Sequence, residues 1–288
     1  MDAIDYKIYG SEMQYVELEL DPGEAAVGEA GSLFFLEQGV DLDAVLGDGS
    51  DQHSGFMGKL LGAGKRLLAG ASLFTTIYTN QDGVKRKVAF AAPYPGKIIP
   101  VNLRELGGTL ICQKEAFLCA ARGVAIGLAF QKRLGAGFFG GDGFIMQKLE
   151  GEGLVFMHAG GTIAKRQLAA GEVLRVDAGC LVAFEPTVDF DIQYVGGIKT
   201  ALFGGEGLFF AALRGPGTVW LQSLPFSRLA SRIFAAAPPM GQGGEVGSGL
   251  AAGLLGGSML GGLGGGERSA GTGNADSGDG GWFDDDNS

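Results

Sequence analysis

The sequence predicts an all-β protein, a sandwich or barrel made of three tandem pseudo-repeats and closed by one short helix near 224–236. Three observations predict it. When the chain is laid over itself, the segment from Leu20 falls without a gap on the one from Leu168. Gly23-Glu24 then meets Gly171-Glu172, Ala30-Gly31 meets Ala178-Gly179, Glu37 meets Glu185, and Asp41 and Asp43 meet Asp189 and Asp191. A second element recurs independently, because GGDGFIMQKLEGEGLVFMH from Gly140 lies gaplessly on GGEGLFFAALRGPGTVWLQ from Gly204. The third observation is local: Val16, Leu18 and Leu20 alternate with Glu17 and Glu19, the period of two of a half-buried strand.

A weaker overlay puts Gly39-Val40 on Gly123-Val124, Val27 on Ile111 and Leu33 on Phe117. The units therefore run roughly over 1–95, 96–160 and 161–240 as one β body. Each is expected to pair a meander of short strands with one long hairpin. In the first unit the hairpin is AGASLFTTIYTNQDGVKRKVAF from Ala69, turned at Gln81-Asp82-Gly83; in the third it is turned at Gly215-Pro216-Gly217. Val173-Leu174-Arg175-Val176-Asp177 reads as a further alternating strand. At the end of the body, Ser223 is positioned to cap a helix and Pro225 falls in its first turn. Phe226, Leu229, Ala230 and Ile233 form the apolar face, Arg228 and Arg232 the solvated one, and Pro238-Pro239 the stop.

Composition separates the body from the C-terminal tail. The chain has 288 residues with 54 glycines, three cysteines and a net charge of −10. Collagen is excluded by the lack of a three-residue glycine period, and a disulfide scaffold by the few, odd-numbered cysteines. Residues 241–288 hold 18 of the glycines and seven carboxylates against Arg268, so this segment reads as a flexible acidic tail. The remaining body has no global basic field to attract nucleic acid. MDAIDYKIYG lacks the cationic flank and apolar run of a signal peptide, and a cytoplasmic setting is expected.

Chemistry-bearing motifs are sparse. Gly135-Ala136-Gly137-Phe138-Phe139-Gly140 has the spacing of a dinucleotide loop, but that fingerprint needs a helix next, and a strand-like run comes instead. His53 and His158 are far apart, and Cys112, Cys119 and Cys180 lack zinc-site spacing. The pairs Asp41/Asp43 and Asp189/Asp191 read as solvated strand faces. No catalytic residue, metal or cofactor is assigned.

Two segments read as contact surfaces. Wound as a helix, 56–68 sets Leu60, Leu61, Leu67 and Leu68 on one side and Lys59 and Arg66 on the other, with Lys65 toward the edge, the pattern of an interfacial helix. Its interior glycines weaken that helix, so packing on the β body or a neighbouring subunit is the competing expectation. In the tail, Trp282-Phe283-Asp284-Asp285-Asp286 combines two aromatic anchors with three charges, suiting a short docking peptide; a solubilising end is the plainer reading.

The repeat blocks also resemble a known family. PGEAAVGEAGSLFFLEQGVDLDA, GKLLGAGKRLLAGASLF, FFGGDGFIMQKLEGEGLVFMHAGG and LFGGEGLFFAALRGPGTVWLQSLPFSRLASRI look like the signature blocks of the bacterial branch of the altered-inheritance-of-mitochondria family, in order across nearly all of residues 1–240. The resemblance implies double-stranded β-helix modules, a fold grouped with the tryptophan RNA-binding attenuation protein, and a homo-oligomer, with a trimer favoured. Three units per chain would then make a ring of approximately ninefold repetition. Mitochondrial relatives are linked to inner-membrane organisation, which implies a peripheral membrane association. The expected function is a non-enzymatic oligomeric scaffold, with a ligand-binding module for a small molecule or RNA as the alternative. Fold-level likeness to an RNA-binding ring does not assign RNA binding.

Overall fold

The computed structural model describes residues 4–29, 31–46, 74–132, 143–195 and 208–236. It is mostly β-strand, in four antiparallel sheets, with one short C-terminal helix. After β1 (Asp5–Tyr9) come six strands: β2 (Tyr15–Leu20), β3 (Ala25–Glu29), β4 (Leu33–Leu36), β5 (Val40–Leu46), β6 (Phe74–Asn80) and β7 (Arg86–Ala91). The same six-strand series returns as β8 (Gly96–Asn102), β9 (Thr109–Gln113), β10 (Phe117–Ala121), β11 (Ala125–Lys132), β12 (Phe144–Glu150) and β13 (Leu154–Gly160). It recurs as β14 (Ile163–Leu168), β15 (Val173–Asp177), β16 (Leu181–Phe184), β17 (Asp189–Val195), β18 (Leu208–Arg214) and β19 (Gly217–Gln222), and α1 (Phe226–Ala236) closes the described chain.

Sheet membership corrects two local expectations. The sheets run β1-β2-β7-β4, β5-β6-β3-β10-β13-β8, β11-β12-β9-β16-β19-β14 and β15-β18-β17. The two apolar runs expected to form a hairpin, β6 with β7, β12 with β13 and β18 with β19, lie in different sheets in every unit. Their turns carry the chain from one layer of the sandwich to the other. The first four strands of a unit do not form a meander either, because β2 and β4 share one sheet while β3 and β5 share the next. Both faces of the joining strands meet protein: β3 and β10 are buried along nearly their whole length, and so is β13. A local turn signal marks where the chain reverses and leaves the hydrogen-bonding partner undetermined.

Each unit is thus a two-layer sandwich. One layer joins its first, sixth and third strands, as in β2-β7-β4, and the other its fourth, fifth and second, as in β5-β6-β3. Val16, Leu18 and Leu20 of β2 point inward as their alternation predicts and pack with Val88 and Phe90 of β7. Neighbouring units are joined by one strand pair, β3 with β10 and then β9 with β16. Glycine serves the corners: Gly151 and Gly217 have φ +145° and +144°, and a Cβ on Gly151 would stand 2.7 Å from the carbonyl oxygen of Gly123.

The helix forms where the periodicity places it, with two corrections at its start. Pro225 O accepts from Leu229 N at 3.2 Å, so the first helical turn closes on the proline carbonyl. Ser223 does not cap; its hydroxyl accepts from Thr162 N at 2.8 Å and ties the turn to β14. Arg228 lies on the exposed face as expected and there donates to the Asp177 carboxylate at 3.2 Å and to Ser223 O at 3.1 Å. The helix is thereby pinned beside the end of β15.

Candidate functional site

The surfaces that set this chain apart are the strand edges left over by its own repeat. Inside the chain, the second strand of one unit pairs with the third strand of the next. The second strand of the last unit, β15, and the third strand of the first, β4, lie at the ends of their sheets. Burial records the difference. The residue after the start of the third strand is Leu118 in β10 and Val182 in β16, 2% and 0% exposed; in β4 it is Phe34, 56% exposed. Likewise the first residue of the second strand is Ala25 in β3, 1% exposed, and Val173 in β15, 49% exposed.

The edge strands also differ chemically. Exposed strands invite pairing unless charge or proline blunts them. β14 carries Lys165 and Arg166, β8 carries Lys97 and Pro100, β5 carries Asp41 and Asp43, and β17 carries Asp189 and Asp191. The repeated acid pairs are exposed to solvent as the sequence predicts, and their position on edge strands gives them a physical role. Among the described edge strands, β4 alone, Leu33-Phe34-Phe35-Leu36, has neither a charged residue nor a proline. An aromatic group backs it: Tyr15 lies 5.1 Å from Phe34 and stacks on Tyr9 at 4.8 Å, and Phe34 lies 5.5 Å from Phe35, ring centre to ring centre. At the opposite end, α1 adds exposed Phe226, Ile233 and Phe234 near β15.

Burial shifts several titratable groups of the body. His158 is buried, with neither ring nitrogen in a hydrogen bond of ordinary geometry, and Tyr94 packs edge-on at 4.4 Å. Burial holds its imidazole down at about 4, a contact with the Tyr94 backbone offsetting this only in part. Glu29 closes β3 at the joint with β10; burial pushes its carboxyl up to about 7, Lys114 pulling it down and Glu115 adding to the rise. Burial raises the Cys112 and Cys119 thiols as well, which keeps them protonated.

The sequence-derived contact residues Lys59, Leu60, Leu61, Lys65, Arg66, Leu67 and Leu68 lie outside the described residues, as do Trp282, Phe283, Asp284, Asp285 and Asp286. The Gly135–Gly140 motif lies outside them too. Among the described residues, no helix is long and apolar enough to cross a membrane. Sequence reasoning missed the β4 and β15 edges. The signal was present in the overlay of Leu33-Phe34 on Leu181-Val182, which shows equivalent apolar residues but not that one set lacks a neighbour.

The same stretch of chain decides the relationship to known proteins. The family model described as Mitochondrial biogenesis AIM24 matches residues 6–224, from β1 to the turn before α1. The chain belongs to this family. Beside the AIM24 match stands a likeness to an uncharacterised protein of Streptococcus pyogenes serotype M6, 32% identical over 223 residues, which covers 76% of this chain and 84% of the relative. A crystal structure of a Streptococcus pyogenes protein is similar in fold, with a TM-score of 0.63, 24% identity, and coverage of 81% of this chain and 100% of that one. The match to the AIM24 family takes in both open edges.

Proposed function

We propose that this AIM24-family protein is a non-enzymatic scaffold that assembles into a homo-oligomer, a trimer, and works at a membrane surface. The observation that supports assembly is the pair of uncovered edges, whose counterparts inside the chain are buried against the next unit. An apolar, uncharged edge strand is a template for another chain. The membrane part rests on the pattern of Lys59, Lys65 and Arg66 opposite Leu60, Leu61, Leu67 and Leu68.

Native mass spectrometry of the full chain tests the first part, and a stable three-chain mass is expected; a monomer at micromolar concentration removes the reading. Flotation with anionic vesicles tests the second. Wild type is expected to float and the Lys59→Glu/Lys65→Glu/Arg66→Glu variant to stay in the bottom fraction, whereas no binding by wild type ends the membrane reading. A thermal-shift screen with metabolites and RNA checks the ligand-binding alternative, since a specific ligand raises the melting temperature with its excess.

A further inference from the structure

The two joints inside the chain share one register. In the first, Cys119 of β10 stands opposite Gly28 of β3, Ala120 opposite Val27 and Ala121 opposite Ala26. In the second, Ala183 of β16 stands opposite Cys112 of β9 and Phe184 opposite Ile111. The overlay that puts Gly39 on Gly123 carries Gly28 onto Cys112, and the one that puts Gly140 on Gly204 carries Cys119 onto Ala183, so equivalent positions meet at both joints. One further step in each direction reaches Phe35 in β4, which the first overlay places on Cys119, and Val176 in β15, on which the second places Cys112.

We propose that β4 of one copy of this chain adds to β15 of the next in this same antiparallel register. Phe35 then stands opposite Val176, Leu36 opposite Arg175 and Glu37 opposite Leu174. The inference rests on the reading of the chain as an assembling scaffold and specifies the partner and geometry of its edges.

Backbone geometry supports the match. In all three units the third strand carries a bulge at the same place against the sixth: between Leu33 and Phe35, between Phe117 and Cys119, and between Leu181 and Ala183. The edge strand β4 therefore already has the bend of a joint strand. On its other side β15 pairs with β18 from Val173↔Arg214 onward, as β3 pairs with β6 from Ala25↔Thr79. Smaller contacts extend the correspondence. At the first joint Arg122 N donates to Ala25 O at 3.0 Å, and the Ser32 hydroxyl, which donates to Glu29 O at 2.7 Å, lies 3.3 Å from Leu118 O. The same overlays bring Cys180 to the Phe34 carbonyl and the Gln38 amide to the Val173 carbonyl of the neighbouring copy.

Assembly of this kind is head to tail. Each copy offers one edge of each sort, so the contact is heterologous and closes into a ring when the rotation per chain permits. Burial of Phe34, Phe35 and Val173 supplies the apolar part of the joint, and the stem of Arg175 lies along Leu36 with its charged end free to reach water.

Cross-linking between copies tests the register. In a Cys180→Ser background, chains carrying Phe35→Cys are mixed with chains carrying Val176→Cys, unfolded and refolded together, and oxidised. Cysteine fits both places, since the interior joints hold Cys119 and Cys112 there. The mixture is expected to give a disulfide between the two peptides by mass spectrometry, and each variant alone none. A mixture of Leu36→Cys and Val176→Cys chains, one residue out of register, is expected to cross-link at least tenfold less. Phe34→Asp, on a residue exposed in the single chain, is expected to abolish the cross-link and leave the circular-dichroism spectrum unchanged. An oligomer in native mass spectrometry without the Phe35–Val176 disulfide, or with one formed by a single variant, overturns the register and leaves the scaffold reading standing. A monomer overturns both.

Discussion

Phe34 and Leu118 occupy the same place in two successive units, yet 56% of Phe34 is exposed against 2% of Leu118. The difference comes from the neighbouring strand: β10 is covered by β3, and β4 ends its sheet. Replacing Leu118 with alanine should lower the unfolding free energy by about 3 kcal/mol, because the site is closed on all sides and leaves a cavity. In chains kept monomeric by Phe34→Asp, the further exchange of Phe35 for alanine should cost less than about half as much. Urea melts of the variants check the contrast.

The buried His158 and the carboxyls of Glu29 and Glu115 should oppose each other as pH changes. His158 stays neutral to about pH 4 when folded, while in the unfolded chain it takes up a proton near 6.5, so stability falls as pH drops through that window, by about 3 kcal/mol in all. Glu29 keeps its proton to about pH 7 when folded but releases it near 4.5 when unfolded. Its contribution is complete below 4.5 and is lost as pH rises through 7, and Glu115, also raised by burial, acts in the same sense. Between pH 4.5 and 6.5 the wild-type melting temperature should change less than that of either variant, because the opposing contributions partly cancel. With Glu29→Gln and Glu115→Gln it should fall steadily on acidification, and with His158→Gln it should rise.

Asn80 should be the most costly polar residue of the first unit to remove. Fully buried, its side-chain amide donates to Leu20 O and to Val84 O, both at 2.9 Å, and its oxygen accepts from Asp82 N at 2.9 Å. These bonds hold the β6–β7 corner that crosses between layers. Asn80→Ala leaves two carbonyls and one amide without that partner and should cost about 3 kcal/mol in chemical denaturation. Asn80→Asp should be at least as damaging, because both donors are lost and a charge is buried.

Corner glycines should divide by geometry. Gly217 has φ +144°, and a Cβ there would stand 2.6 Å from Thr187 Oγ1 and 2.7 Å from Val188 Cγ2. Gly217→Ala should cost about 3 kcal/mol through strain and crowding together. At Gly83, in the corresponding first-unit turn, a Cβ meets nothing within 4 Å and φ lies outside the left-handed region. Gly83→Ala should change stability by less than about 1 kcal/mol. Thermal unfolding of the two variants separates them.

The acid pairs on β5 and β17 should matter for solubility more than for folding. Replacing Asp41, Asp43, Asp189 and Asp191 with threonine keeps β propensity and removes the edge charges. The variant should retain its wild-type circular-dichroism spectrum and form higher-order species in size-exclusion chromatography. A wild-type elution profile would show that these edges need no electrostatic guard.

The sequence by itself determined the class, the repeat and much of the punctuation. Period-two alternation at Val16, Leu18 and Leu20 needs no partner to be read, since it reflects one strand with one wet and one dry face. The overlay of Leu20 on Leu168 placed equivalent corners at Gly23 and Gly171, and both have positive φ. Helical spacing at Phe226, Leu229 and Ile233 likewise located α1. Tertiary structure alone decided which strands pair. The turns at Gln81–Gly83 and Gly215–Gly217 look like hairpin turns because the residues that reverse a chain are the same whether it returns in its own sheet or crosses to the facing one. Pairing is chosen by contacts far apart in sequence, such as Cys119 with Gly28, and a strand's pattern specifies faces, not neighbours. For the same reason Phe34 and Val173 read as ordinary core residues. Only the order of strands in the sheets shows that, among the described residues, one copy of each joint strand has no neighbour on its outer edge.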